Sequence, residues 1–311
     1  MIVAITGGTG LIGRKLVARH LAHGHEVRVL SRKNAVEPGA KLCSGDLSNQ
    51  DVLRSFIDGA DILYHCAGEI RDETRMHAVH VAGTQHLIDA ASGRIRRWVQ
   101  LSSVGAYGRQ RAGLVTEHTE LHPIGNYEVT KVMSDDLVRV AAHGGAFEYA
   151  FLRPSNVYGA EMSNQSLFGL IRMIQRGRFF FIGTPGASAN YIHVDNVVEA
   201  LMLCGSKPEA NDRLFNLSDH RTLETFVDVI ADELGVSAPQ LRLPEWAVRL
   251  PAALLSGILG FPLTGSRVDA LTGRAIYSTA RIEQELGYCH TVAMENGLKE
   301  LVHVWQQRAR A

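Results

Sequence analysis

The stretch 6-TGGTGLIG-13 decides how the chain is read. It follows the apolar run 2-IVAIT-6 and opens a segment in which Ile12, Leu16 and Val17 fall on one helical face. Gly7, Gly10 and Gly13 each fit a separate need. Glycine permits positive φ at the turn, lets the backbone approach a pyrophosphate, and lets helix and strand pack closely. The helix N-terminus adds free N–H groups and partial positive charge. The stretch is therefore read as a dinucleotide phosphate loop.

Outward from it, β-rich runs recur at 26-EVRVLS-31, 41-KLCSG-45, 61-DILYHCAG-68, 97-RWVQLSS-103 and 149-YAFLRPSNV-157. Helix-period segments separate them, one with Val79, Leu87, Ile88 and Ala91 on a common face. Near-continuous apolar strands alternating with amphipathic helices specify an α/β fold, a Rossmann-type doubly wound parallel sheet. Such sheets bind ligands beyond the carboxyl ends of their strands. After about residue 160 the pattern loosens, with 183-GTPGAS-188, a helical run at 223-LETFVDVIADELG-235, and Pro239, Pro244, Pro251 and Pro262. Residues 1–160 are expected to form the dinucleotide-binding domain, with a return segment near 190–205. Residues 161–311 are expected to form mainly a smaller substrate-binding region.

Composition narrows the class. Of 311 residues 46% are apolar and 21% charged, an ordinary globular mix. Lys+Arg and Asp+Glu are both 32, so no net field attracts nucleic acid. Cys43, Cys66, Cys204 and Cys289 form no C-x-x-C, which argues against a disulfide framework or a metal site and suits a cytoplasmic protein. Met1 leads straight into an apolar run without a basic n-region, so no signal peptide is expected. The segment 250-LPAALLSGILGFPL-263 is too short to span a bilayer. It reads as a buried or lid-like helix.

The acid that would meet an adenosine ribose is absent at the end of the second strand, where Ser31, Arg32 and Lys33 stand. A hydroxyl and a guanidinium suit a 2′-phosphate, so NADP(H) is favoured, with NAD(H) possible. Asp46 can accept from the adenine amine or cap its own loop. In 127-YEVTK-131, Tyr127 and Lys131 lie at i and i+4 on one helix face. A lysine ammonium and the cofactor's ring charge are expected to lower the tyrosine pKa. Ser103, in 102-SSVGAYG-108, is placed to hold the reacting oxygen.

Together TGGTGLIG, SSVGAYG, YEVTK, 152-LRPSNVYG-159, 191-YIHVDN-196, 215-FNLSD-219 and 286-LGY-288 resemble the extended short-chain dehydrogenase/reductases, the NAD-dependent epimerase/dehydratase group. The resemblance implies a catalytic set of Ser103, Tyr127 and Lys131. It implies cofactor contacts from Gly7, Gly10, Leu11, Ile12, Gly13, Ser31, Arg32, Asp46, Leu47, Ala67, Gly68, Tyr127, Lys131 and Pro154. Substrate contacts are implied for Ser103 and Asn156. It also implies a homodimer through the helices holding 78–92 and 127–142.

Departures narrow the function. Val104-Gly105 replaces the dehydratase Asp-Glu, and Ala189-Asn190 replaces the Arg-Asp whose arginine clamps a substrate diphosphate. Such a charge-assisted bond is worth about 1.5–3 kcal/mol. Arg176, Arg178, Arg267 and Arg274 are candidate replacements. His80 stands where the family has Asn. The expected reaction is hydride transfer at a secondary alcohol or ketone, first of a nucleotide-sugar. The similarity of 262-PLT-264 and 277–288 to 3β-hydroxysteroid dehydrogenases and dihydroflavonol-type reductases makes an apolar carbonyl substrate the alternative. A non-catalytic cofactor-binding subunit is the third reading.

Overall fold

A computed structural model describes residues 1–33, 36–162, 166–254 and 265–310. In chain order the first half runs β1 (Ile2–Thr6), α1 (Leu11–Ala22), β2 (Glu26–Ser31), β3 (Lys41–Ser44), α2 (Gln50–Ile57), β4 (Ile62–His65), α3 (Glu73–His77), α4 (Gly83–Ala91), β5 (Arg97–Leu101), β6 (Ala112–Val115), α5 (Asn126–His143) and β7 (Glu148–Pro154). The second half runs β8 (Asn156–Tyr158), α6 (Ser166–Gln175), β9 (Phe181–Ile182), β10 (Ser188–His193), α7 (Val194–Ser206), β11 (Arg213–Leu217), β12 (Asp219–Thr222), α8 (Leu223–Leu234), β13 (Arg242–Leu243), α9 (Glu245–Leu254), α10 (Gly265–Thr272), β14 (Arg274–Tyr277), α11 (Ala280–Leu286) and α12 (Met294–Arg310).

Seven parallel strands form the central sheet in the order β11-β7-β5-β4-β1-β2-β3. Successive strand residues face opposite sides, and both sides are covered. Val3 and Ile5 pack with Leu16 and Val17 of α1 and Val197, Val198 and Leu201 of α7. Ala4 and Leu63 face the other way, onto Leu53 and Phe56 of α2, Leu87 and Ile88 of α4, and Val138 of α5. Strand order reverses at β1, with β4 on one side and β2 on the other. That reversal opens a crevice at the carboxyl ends of β1 and β4.

A second apolar cluster joins α6, α8 and α12 through Ile171, Phe226, Val227, Leu298 and Leu301. It packs around a small sheet, β12-β10-β8. The apolar run 149–157 does not continue as one strand. Pro154 ends β7 in the central sheet, and Asn156 begins β8 in the small sheet. The segment 192–204 reaches the central layer as helix α7, whereas the strand that returns there is β11. Positions 255–264, most of the apolar run 250–263 and all of 262-PLT-264, lie outside the described residues. Among the described residues no helix is long and apolar enough to cross a membrane. Among the described residues no group of three or more His, Cys, Asp or Glu is arranged to hold a metal ion.

Gly7 has φ +68, and a Cβ there would lie 2.6 Å from the Cys66 carbonyl carbon. A Cβ on Gly13 would lie 2.2 Å from the Gly7 carbonyl oxygen. These two positions press β1, the start of α1 and the exit of β4 together. Gly13→Ala is therefore expected to cost about 1–3 kcal/mol of stability by overpacking and to weaken cofactor binding with it. Urea unfolding of the two proteins tests this, and an unchanged midpoint would show that α1 has room for the methyl group.

Candidate active site

A cleft of about 410 Å³ opens at the carboxyl edge of β1, β2 and β4. Gly7, Gly10, Ser31, Arg32, Asp46, Leu47, Ala67 and Gly68 all line it. No side chain caps the N-terminus of α1, and the Gly10 amide closes the turn by donating to the Gly7 carbonyl at 2.9 Å. A bare helix end beside positions that a Cβ would obstruct fits a dinucleotide pyrophosphate. Leu11, Ile12 and Gly13 do not line the cleft. Leu11 and Ile12 pack toward the two apolar clusters, so any phosphate contact they make is through main-chain N–H groups. Pro154 is buried at the end of β7, paired with Leu217, and lines neither this cleft nor the next.

Of the two roles expected of Asp46, the structure shows the loop cap, and the residue also lines the cleft. Its carboxylate accepts from the Ser48 amide at 2.9 Å and the Ser48 hydroxyl at 2.5 Å. Those bonds hold its pKa below the usual carboxylate value, with Arg32 and Arg75 adding smaller pulls. Arg75 is a cleft residue that the sequence did not flag. It lies on a five-residue helix with no motif, so no local signal marks it. Thr6 was also missed. Its Oγ1 bonds His65 Nδ1 at 2.7 Å and accepts from the Ala67 amide at 3.2 Å, which sets the turn leaving β4.

Ser103 and Tyr127 meet in a second cleft, also of about 410 Å³. The Ser103 hydroxyl lies near enough to the Tyr127 phenol to draw its pKa down. The lowering of the tyrosine pKa expected of Lys131 and the cofactor's ring charge works against the pull of the protein's own groups. Burial, then the charges of Glu128 and Asp135, push the phenol up to about 12, and Ser103 opposes them. Lys131 is fully enclosed, and its Nζ donates to the Leu101 carbonyl at 2.6 Å. Burial lowers its pKa, while Asp135 and the Cys66 thiol act in the opposite direction. The ammonium thus sits near the exits of β4 and β5.

Tyr127, Lys131 and Asp135 recur every four residues, so one stripe of α5 faces the sheet. Asp135 accepts from the Ser102 hydroxyl at 2.6 Å and from Arg153 at 3.1 Å, with both charged partners buried. The Arg153 guanidinium lies 5.1 Å over the Tyr107 ring, and the Tyr107 hydroxyl donates to Asn216 at 2.8 Å. These contacts join SSVGAYG, LRPSNVYG and FNLSD into one network. His80 lies in a π-helical turn, Ala78–Ala82. Its Nε2 accepts from the Glu69 amide at 2.8 Å, so Nδ1 carries the proton and donates to Thr130 Oγ1 at 2.8 Å. Burial holds its pKa down at about 4, so the ring is neutral at physiological pH. His80 both packs edge-on to Tyr127 and ties the β4 exit to the first turn of α5.

Among the described residues the second cleft is also lined by Gln110, Glu128, Ser155, Asn156, Ser188, Asn190, Tyr191, Asp269 and Tyr277, with Val104, Ala270 and Ala275 as its aliphatic side chains. Asn156 is exposed at this cleft and donates to the Asn190 carbonyl at 3.2 Å. Arg176, Arg178, Arg267 and Arg274 do not line it. Arg274 is instead held by the Thr184 and Pro185 carbonyls at 2.9 and 2.8 Å.

The sequence model of the NAD dependent epimerase/dehydratase family matches residues 3–218, and the chain belongs to that family. A dTDP-6-deoxy-L-talose 4-dehydrogenase (NAD(P)(+)) of Kitasatospora kifunensis is 34% identical over 78% of this chain and 82% of its own. A 4-hydroxy-2-methyl-3-oxo-4-farnesyl-3,4-dihydroquinoline-1-oxide ketoreductase of Stigmatella aurantiaca is 27% identical over 96% of this chain and 94% of its own. The crystal structure of a short-chain dehydrogenase/reductase superfamily protein from Agrobacterium tumefaciens with bound NAD superposes with a TM-score of 0.78 at 25% identity, covering 99% of this chain and 98% of that one. The protein is thus an NAD(P)-dependent enzyme of the epimerase and oxidoreductase type.

Because the Glu128 carboxylate disfavours the phenolate, Glu128→Gln is expected to lower the Tyr127 pKa. Alkaline titration followed by tyrosinate absorbance should show one transition moved to lower pH, by about one unit or less. The same transition should vanish in Tyr127→Phe. A titration curve insensitive to Glu128→Gln would remove Glu128 from the account of the site.

Proposed function

We propose that the protein transfers hydride at a secondary alcohol or ketone carbon of a nucleotide-linked sugar, with NADP(H) as cofactor. One observation carries the substrate reading. The cleft around Ser103 and Tyr127 is lined mainly by hydroxyl and amide side chains, which match a polyhydroxylated ligand and leave little surface for a sterol-like one. The likeness to the talose dehydrogenase supports it. An apolar ketone remains the second reading, supported by Ala189 at the usual arginine position and by the likeness to the farnesyl-quinoline ketoreductase.

The cofactor supplies or accepts the hydride. In this proposal Ser103 Oγ holds the substrate oxygen and the Tyr127 phenol donates the proton to it. A phenol whose pKa is pushed up to about 12 is in the donating form at neutral pH, which suits carbonyl reduction. Lys131, fixed on the Leu101 carbonyl, holds a positive charge beneath the site. Residues 1–160 would hold the cofactor, and most of 161–311 would form the substrate wall. Val129, Met133 and Val140 leave apolar surface exposed on α5, as the outer face of a dimer helix would. We therefore infer a cytoplasmic homodimer through α4 and α5.

For the cofactor, the absence of an acid at the end of β2 and the presence of Ser31, Arg32, Lys33 and Arg75 along the cleft support NADP(H). Fluorescence titration should show NADPH binding tighter than NADH, and Arg32→Ala should narrow the gap about ten-fold. Equal affinities in the wild type would reject the preference. For the reaction, Tyr127→Phe should lose about 10²–10⁴-fold in turnover while keeping NADPH affinity. Substrate can be sought by mass spectrometry of small molecules released from freshly purified protein, where a nucleotide-sugar is the expected find. Retained activity in Tyr127→Phe would reject the proton-transfer role. A gel-filtration mass near twice the 34.0 kDa chain is expected for the dimer.

A further inference from the structure

The cleft that holds Ser103 and Tyr127 also exposes Asp269, and three guanidiniums converge on that one carboxylate. Arg249 makes the close contact, with Nη2 on Asp269 Oδ1 at 2.6 Å and Nε on Glu245 at 2.5 Å. Its charge is thereby matched from both sides. Arg109 and Arg111 differ. Arg109 Nη1 lies 3.4 Å from Asp269 Oδ2 and Arg111 Nη2 lies 3.7 Å from Oδ1, and both side chains are largely exposed. Among the described residues neither guanidinium has another ion pair. Three cations therefore face two carboxylates, and the surplus positive charge lies on the two loosely held arginines. Gln110, between them in the chain, lines the cleft itself.

We propose that Arg109 and Arg111 form an anion site for the diphosphate of a nucleotide-linked substrate. The site would replace the arginine that Ala189 lacks; the proposal rests on the nucleotide-sugar reading above. Arg109 and Arg111 do not line the cleft themselves; Asp269, which does, holds both guanidiniums beside it, and Arg249 keeps Asp269 in place. Planar guanidiniums suit phosphate oxygens because they donate in pairs. The loose contacts to Asp269 leave N–H groups available, so binding a diphosphate breaks no short ion pair.

The test is isothermal titration of the NADPH-saturated protein with uridine diphosphate and, separately, inorganic pyrophosphate. Saturation with NADPH keeps the probes out of the cofactor's own phosphate site. Wild type should bind uridine diphosphate, with affinity falling as salt rises. The double variant Arg109→Ala/Arg111→Ala should lose at least about ten-fold. Arg109→Lys/Arg111→Lys should fall between them, since charge is kept and the fork is lost. Arg178→Ala, an exposed arginine on neither cleft, should match wild type. If uridine diphosphate binds wild type and the alanine double variant equally, the proposal is overturned and the nucleotide-linked reading stands. If neither probe binds wild type, both fall. Should the alanine double variant unfold, the lysine pair carries the same comparison.

Discussion

The buried pair between Asp135 and Arg153 decides how α5 lies on the sheet, and the rest of the site depends on that. A charged pair with both members enclosed is costly to desolvate and tolerable only when its remaining bonds are met. Here that condition is met only in part: Ser102 donates to the same carboxylate oxygen as Arg153 and the guanidinium lies against the Tyr107 ring, while Asp135 Oδ1 and Arg153 Nε are buried without a partner among the described residues. The pair links α5 to β5 and β7 at once. Tyr127 and Lys131 are two turns and one turn away on the same stripe, so their position follows from it. Breaking such a pair by removing one partner leaves an uncompensated buried charge, a larger loss than a missing surface ion pair.

The network explains why separate motifs belong together. Tyr107, Arg153 and Asn216 come from three stretches far apart in the chain, and Tyr107 meets both of the others, Arg153 at its ring and Asn216 at its hydroxyl. His80 adds a neutral strap on the other side of α5, through Glu69 and Thr130. Its depressed pKa keeps the strap neutral across the physiological range, and the Glu69 amide fixes its tautomer. Electrostatically, the site therefore starts from a protonated phenol above a fixed ammonium.

Much of this was legible in the sequence. The inner strands of the central sheet are buried on both faces and read as apolar runs, so β1, β2, β4 and β5 fall where those runs do, and the half-exposed edge strand β3 falls in its marked run as well. The glycine loop was legible because each glycine answers a distinct steric demand. Other parts were not. The parallel pair β6–β14 joins segments without apolar periodicity, so only the folded chain brings them together. Arg75 reaches the cofactor cleft from a helix too short to carry a pattern. The upward push of burial and Glu128 on the Tyr127 pKa was not legible, because sequence spacing gives the lysine's place on the helix but not the carbonyl that captures its ammonium. The loose pairing of Arg109 and Arg111 likewise depends on a carboxylate far along the chain.

One further consequence comes from Ser155, the single residue between the end of β7 and the start of β8. A strand residue advances the backbone about 3.3 Å. One such step carries the chain from the sheet that floors the cofactor crevice into the sheet that walls the second cleft. Asn156, on the far side of that step, is thus tethered covalently to the cofactor floor. Its offset is set by bond geometry rather than by a swinging domain, so this stretch of the wall acts as a fixed ruler against which a ligand's reacting carbon is registered.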